Sequence, residues 1–85
     1  MTELARIFSE DVGASVFTVE FEKKDGSTRT LIGYRKALRP YLGYSAVIDL
    51  EQTRDESKEY DTRERKVYHE RIQSLIVNNV KYIRK

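Results

Sequence analysis

Cysteine is absent from the chain, and proline and histidine occur once each, as Pro40 and His69. Without cysteine there are no disulfides, thiolate nucleophiles or cysteine-ligated zinc, which agrees with a reducing compartment. A metal site would have to combine His69 with carboxylates, and no such group stands at a recognised ligand spacing. No metal and no cofactor are therefore expected. Long apolar runs are missing too: Met1 to Phe8 carries Glu3 and Arg6, which fits neither a secretory signal nor a membrane span. The expected location is the cytoplasm.

With 85 residues the chain has enough length for one core and too little for two. Charged residues make up 35% and hydrophobic residues 39%, a ratio that permits a compact core inside a charged surface. Such a small domain has little stability to spare, and a homodimer is expected on that ground and on the apolar stripe of its first helix. The chain divides into a helical segment (1–13), three strands (15–51), a charged loop (52–64) and two more strands (65–85).

Thr2 can cap a helix, and Leu4, Ile7, Phe8 and Val12 then share one face, with Gly13 suited to the stop. A short amphipathic helix over Glu3 to Asp11 is predicted, docked on a sheet because it is marginal alone. From Ser15 the period becomes two, with Phe17, Val19 and Phe21 on one side and Thr18, Glu20 and Glu22 on the other. Asp25-Gly26 predicts a type I′ hairpin turn into a strand from Thr28 to Tyr34, where Gly33 marks a bulge or bend. Arg35 to Gly43 reads as a connection, since Pro40 keeps Arg39 from an easy helical conformation. Ala46 to Glu51 is a third strand in which Asp49 is expected to face solvent by simple alternation. Gln52 to Glu64 is dense in charge and reads as an exposed loop or hairpin tip. Lys66 to Arg71 and Ile72 to Val77 follow, then an Asn78-Asn79 turn into Val80, Tyr82 and Ile83. The resulting fold class is mainly β (α+β), a short N-terminal helix followed by a small five-stranded barrel.

The net charge of +2 conceals blocks: −4 over residues 1–22, +5 over 23–39, −4 over 49–64 and +5 over 65–85. If the fold joins the basic blocks, the resulting positive face would bind phosphates with salt-sensitive affinity. The candidates are Lys23, Lys24, Arg29, Arg35, Lys36, Arg39, Arg71, Lys81, Arg84 and Lys85. Tyr34, Tyr41 and Tyr44 lie in or beside the first block and can stack on unpaired bases, which favours single-stranded RNA over duplex DNA. No membrane partner is expected. The opposing view is that these residues form an ordinary solvated surface and a set of core tyrosines.

Enzymatic readings find little support. His69, Glu70 and Arg71 on a strand would point to alternate sides, and Glu56 or Glu59 has no partner group to activate. No enzyme activity is expected, and His69 reads as a surface or strand residue. The alternative to RNA is a non-enzymatic inhibitor or adaptor that binds protein through a sheet edge or through the acidic segment Asp49 to Glu64. Interleaved Arg54, Lys58 and Arg63 weaken any mimicry of nucleic acid by that segment.

Phe17 to Arg29, FTVEFEKKDGSTR, and Arg71 to Tyr82, RIQSLIVNNVKY, behind a short leading helix, resemble small phage proteins of the Sm-like, SH3-type barrel family related to the WYL module. The positions that match are Lys23, Lys24, Asp25, Gly26, Arg29, Arg71 and Ile72, and the pattern spans most of the chain. Gln52 to Glu64 departs from it by its length. The resemblance implies the barrel, a host-cytoplasmic location and no catalytic residue. Within the family, the size and basic character are similar to a phage protein that binds RNA and opposes a host toxin–antitoxin system. That likeness implies protection of a phage against an RNA-cleaving toxin.

Overall fold

The computed structural model describes residues 3–10, 12–39 and 42–84, leaving Met1, Thr2, Asp11, Pro40, Tyr41 and Lys85 outside the described residues. Helix α1 runs Glu3–Glu10, braced by an Arg6–Glu10 ion pair of 3.1 Å one turn apart. Its stripe is buried as the spacing predicted, with Leu4, Ile7 and Phe8 all under a tenth exposed. Val12 closes the same face, and Gly13 turns the chain at a φ of +57°.

Strand β1 (Phe17–Glu22) alternates as expected, burying Phe17, Val19 and Phe21. The turn after it differs from expectation. Only Gly26 has a positive φ there, whereas a type I′ turn needs two such residues. Lys23 and Ser27 bracket a three-residue loop in which the Gly26 N–H donates to the Lys23 carbonyl at 3.0 Å. The Asp25 carboxylate accepts from the Ser27 N–H at 2.9 Å and from its hydroxyl at 2.6 Å, holding the loop open. These bonds also lower the Asp25 pKa below the ordinary carboxylate value. The two-residue, two-left-handed turn occurs instead at Asn78 and Asn79, with φ of 52° and 65°.

Strand β2 (Thr28–Arg39) is longer than expected, because residues 35–39, read as a connection, continue the ladder past an irregularity between Arg35 and Ala37. Strand β3 (Tyr44–Asp49) pairs with it, starting and ending two residues earlier than the sequence indicated. Strand β4 (Glu64–Tyr68) leads into a 3-10 turn (His69–Arg71), and then β5 (Ile72–Val77) and β6 (Val80–Ile83) complete the chain. All six strands form one antiparallel sheet in the order β4-β3-β2-β1-β5-β6. The mainly β class with a leading helix holds. The five-stranded closed barrel does not, since the sheet has six strands and no ladder joins its ends among the described residues.

The core lies between α1 and one face of this sheet, with Phe8 set edge-on to Phe17 at 5.1 Å and 77°. The helix stripe that motivated a dimer is thus used within the chain itself. On the other face, Thr18 lies between the partly exposed Ile32 and Ile76. Gly33 has a reason other than a bulge: it is paired with both Phe17 and Asp49, and a Cβ there would run into the backbone carbonyl of Ile48. Gly33→Ala should therefore lower stability in urea by about 1–3 kcal/mol, as overpacking does. Thr30→Ala, exposed on the same strand, should stay within about 0.5 kcal/mol; equal effects would dismiss the steric explanation.

Candidate nucleic-acid interface

Sheet register brings distant basic residues together. Phe21 of β1 is paired with Arg29 on one side and Ile72 on the other, so Arg71 is drawn to the end of the β1–β2 hairpin. A cavity of about 300 Å³ opens there, lined by Lys23, Lys24, Arg29, Arg65, Lys66 and Arg71. Phe21 and Tyr68 supply its apolar wall, and Glu22 is the one carboxylate among its described lining residues. Among the described residues, no carboxylate is ion-paired with Lys23, Lys24, Lys66 or Arg71. Like charges held this close produce a concentrated positive potential.

Two of the guanidinium groups are fixed by the protein. Arg29 donates to the Asp49 carboxylate at 2.9 Å, and the other oxygen of Asp49 accepts the Glu51 N–H at 3.0 Å. Asp49 is only 3% exposed, so the expectation that it faces solvent is corrected. Its register places it beside Gly33 on the same side as Phe17, and a buried carboxylate there requires a cationic partner. Arg65 donates to the carbonyls of Thr62 and Glu64 at 2.8 and 2.9 Å. Beyond these, the rings of Tyr44 and Tyr68 lie 5.5 Å apart. Lys66 sits 5.2 Å from the Tyr44 ring and Arg71 5.8 Å from the Tyr68 ring, so cations and aromatic faces alternate.

The remaining candidates are elsewhere. Arg35 points inward, donating to the Phe8 carbonyl at 2.8 Å and so satisfying a carbonyl in the last turn of α1. Burial lowers its pKa from the ordinary guanidinium value. Lys36 pairs with Glu64 at 2.9 Å, and Tyr34 is half-buried beside Arg63. Lys81 and Arg84 line a different cavity, between α1 and β6. Tyr41, Lys85 and the side chain of Arg39 lie outside the described residues. Of the ten cationic and three tyrosine candidates, Lys23, Lys24, Arg29 and Arg71 share one cavity. Arg65, Lys66 and Tyr68 join them without having been singled out, although the first two belong to the +5 block and all three flank or alternate with buried Val67.

The acidic segment is more ordered than its composition indicates. Asp55 accepts from Ser57 as Asp25 does from Ser27, and its own N–H donates to the Thr62 hydroxyl at 2.9 Å. Asp61 and Arg63 form two parallel bonds of 3.0 and 2.8 Å, which hold the Asp61 carboxyl well below the usual range. Two of its acids, Asp55 and Asp61, are thus engaged within the loop itself.

His69 is corrected from a surface or strand position to a buried one in the 3-10 turn, 3% exposed. Its Nε2 lies 2.8 Å from the Ser45 hydroxyl, its ring centroid 5.5 Å from that of Phe8, and its backbone N–H donates to the Gly43 carbonyl at 2.9 Å. Neither Ser45 nor His69 lines the basic cavity. Among the described residues, no group of three or more histidine, aspartate and glutamate side chains is arranged to hold a metal ion, and no helix is long and apolar enough to cross a membrane. Comparisons with protein-family models, characterised proteins and solved structures gave no match.

Burial, then the charge of Arg35, lowers the His69 pKa, with Glu70 acting the other way. The unfolded chain therefore takes up this proton first as pH falls. The stability contributed by neutral His69 is fully present above about pH 6.5 and declines below that value until the folded pKa is reached. The urea midpoint should fall between pH 7.5 and 5.5, and the step should be much smaller in His69→Gln. A wild-type midpoint that is level over that range would contradict a buried neutral imidazole.

Proposed function

We propose that this chain is a non-catalytic protein that binds single-stranded RNA, gripping phosphates in the basic cavity at the end of the β1–β2 hairpin. The observation that carries the proposal is the convergence of Lys23, Lys24 and Arg29 with Arg65, Lys66 and Arg71, two stretches some forty residues apart in the sequence, into one concavity. Phosphate neutralisation by such cations supplies most of the affinity of a polynucleotide binder. The alternating Tyr44, Tyr68, Lys66 and Arg71 groups beside it suit unstacked bases, and duplex grooves need a protruding element that the cavity does not offer. The leading helix and the antiparallel order, in which β5 returns to pair with β1, support the likeness to phage barrel proteins, with the sheet left open and β6 as an added strand. On that likeness the RNA-binding activity serves to counteract a host defence in the host cytoplasm, such as an RNA-cleaving toxin of a toxin–antitoxin pair.

Fluorescence anisotropy with a labelled, unstructured oligoribonucleotide tests the binding. For four phosphate contacts, log affinity should fall with log salt at a slope of about −3, from roughly 0.7 per contact on a single strand. The Lys66→Glu and Arg71→Glu double variant should lose about tenfold or more at low salt, and Lys81→Glu with Arg84→Glu should lose much less. Salt-independent binding, or equal losses in both variants, would remove the cavity from the account.

A second reading is favoured by a different observation. Edge strand β6 exposes Val80 by 46% and Ile83 by 65% beside a cavity of about 470 Å³ against Leu4 and Ile7 of α1. A sheet edge of that kind can accept an extended peptide, which would make the chain a protein-binding inhibitor or adaptor. Pull-down from host lysate with and without ribonuclease separates the two: partners lost on nuclease treatment support the RNA reading, and partners that survive support the adaptor.

A further inference from the structure

We infer that the basic cavity is a site for the terminal phosphate monoester of an RNA strand, in preference to the phosphodiesters along its length; this inference rests on the RNA-binding reading above. The first reason is charge. Six cations line the cavity against one lining carboxylate, Glu22, while Asp49 behind it is engaged by Arg29. A phosphodiester brings one negative charge into that space. A monoester brings about 1.5 to 2 at neutral pH and has three terminal oxygens to accept hydrogen bonds.

The second reason is space. A volume of about 300 Å³ is at the lower end for small-molecule sites and is enough to seat a terminal nucleotide. The third is the division of labour among the donors. Arg29 and Arg65 are held by Asp49 and by backbone carbonyls, so their positions are set before any ligand arrives. Lys23, Lys24, Lys66 and Arg71 are the groups without a carboxylate ion-pair partner among the described residues. A preset frame with several uncommitted cations suits a compact dianion, and it spends little ordering entropy on capture. Tyr68, with Arg71 against its ring, leaves an aromatic wall where the terminal base can rest.

One short unstructured oligoribonucleotide, prepared with a 5′-phosphate, with a 3′-phosphate or with hydroxyls at both ends, provides the test by anisotropy at pH 7.5 and 5.5. One phosphorylated form should bind at least about tenfold more tightly than the hydroxyl form, the worth of an added charge-assisted hydrogen bond. That advantage should shrink at pH 5.5, where the monoester loses its second charge near pH 6. Lysine and arginine stay charged over this range, and the hydroxyl-ended strand reports any change in the protein itself. Arg71→Gln and Lys66→Gln, checked for native circular dichroism, should abolish the preference for a phosphorylated end. Equal affinity for all three strands would overturn the terminal-phosphate site and leave RNA binding standing, whereas failure of every strand to bind at low salt would overturn both. A preference that survives Arg71→Gln and Lys66→Gln would overturn the placement of the site in this cavity.

Discussion

The pairing of Phe21 with Arg29 on one side and Ile72 on the other is the constraint on which the rest depends. It seats the aromatic ring at the end of the core, sets the start of β2 and the start of β5 on either side of β1, and places Arg71 beside the β1–β2 turn. Side-chain period in a strand is two, so a slip of one residue would send Phe17, Val19 and Phe21 to the solvent side. Burial of all three makes the register costly to alter, and the basic cavity inherits that rigidity. Charge that repels itself is thus held together by apolar packing behind it.

The Asp49–Arg29 pair is the second fixed point. Asp49 is buried where β3 gives way to the charged loop, and it ties Arg29 on one oxygen and the loop backbone at Glu51 on the other. Breaking such a pair by deleting one partner leaves an uncompensated buried charge, which costs about 3–5 kcal/mol. Arg29 is accordingly both a wall of the cavity and a structural element, and its replacement would not isolate a binding role. Among the described residues, Lys66 and Arg71 are ion-paired with no carboxylate, which makes them the informative positions.

Much of the fold was legible in the sequence because the physical signals were local. Leu4, Ile7 and Phe8 at helical spacing, and Phe17, Val19 and Phe21 at strand spacing, reported their elements directly. Asn78-Asn79 did so too, since two left-handed residues are tolerable there. The failures were matters of partnership. Alternation alone sent Asp49 outward, because nothing local announces that Arg29, twenty residues away, will neutralise it. Arg35 to Leu38 resembled a connection because a bulge resets their faces, and His69 looked exposed because its partners Ser45 and Phe8 come from other elements. The charge blocks indicated a positive face if the fold were to join them, but only the register decided that Arg65 and Lys66 belong to it while Arg35 and Lys36 do not.

Amide chemical-shift mapping during titration with a short single-stranded RNA reads the cavity residue by residue, because every amide reports its own surroundings. The largest changes should fall on Lys23, Lys24, Arg65, Lys66 and Arg71, with the neighbouring Tyr44 and Tyr68 moving as well. Changes confined to Glu3–Ile7 and Lys81–Arg84, with the hairpin end unaffected, would contradict binding in the cavity.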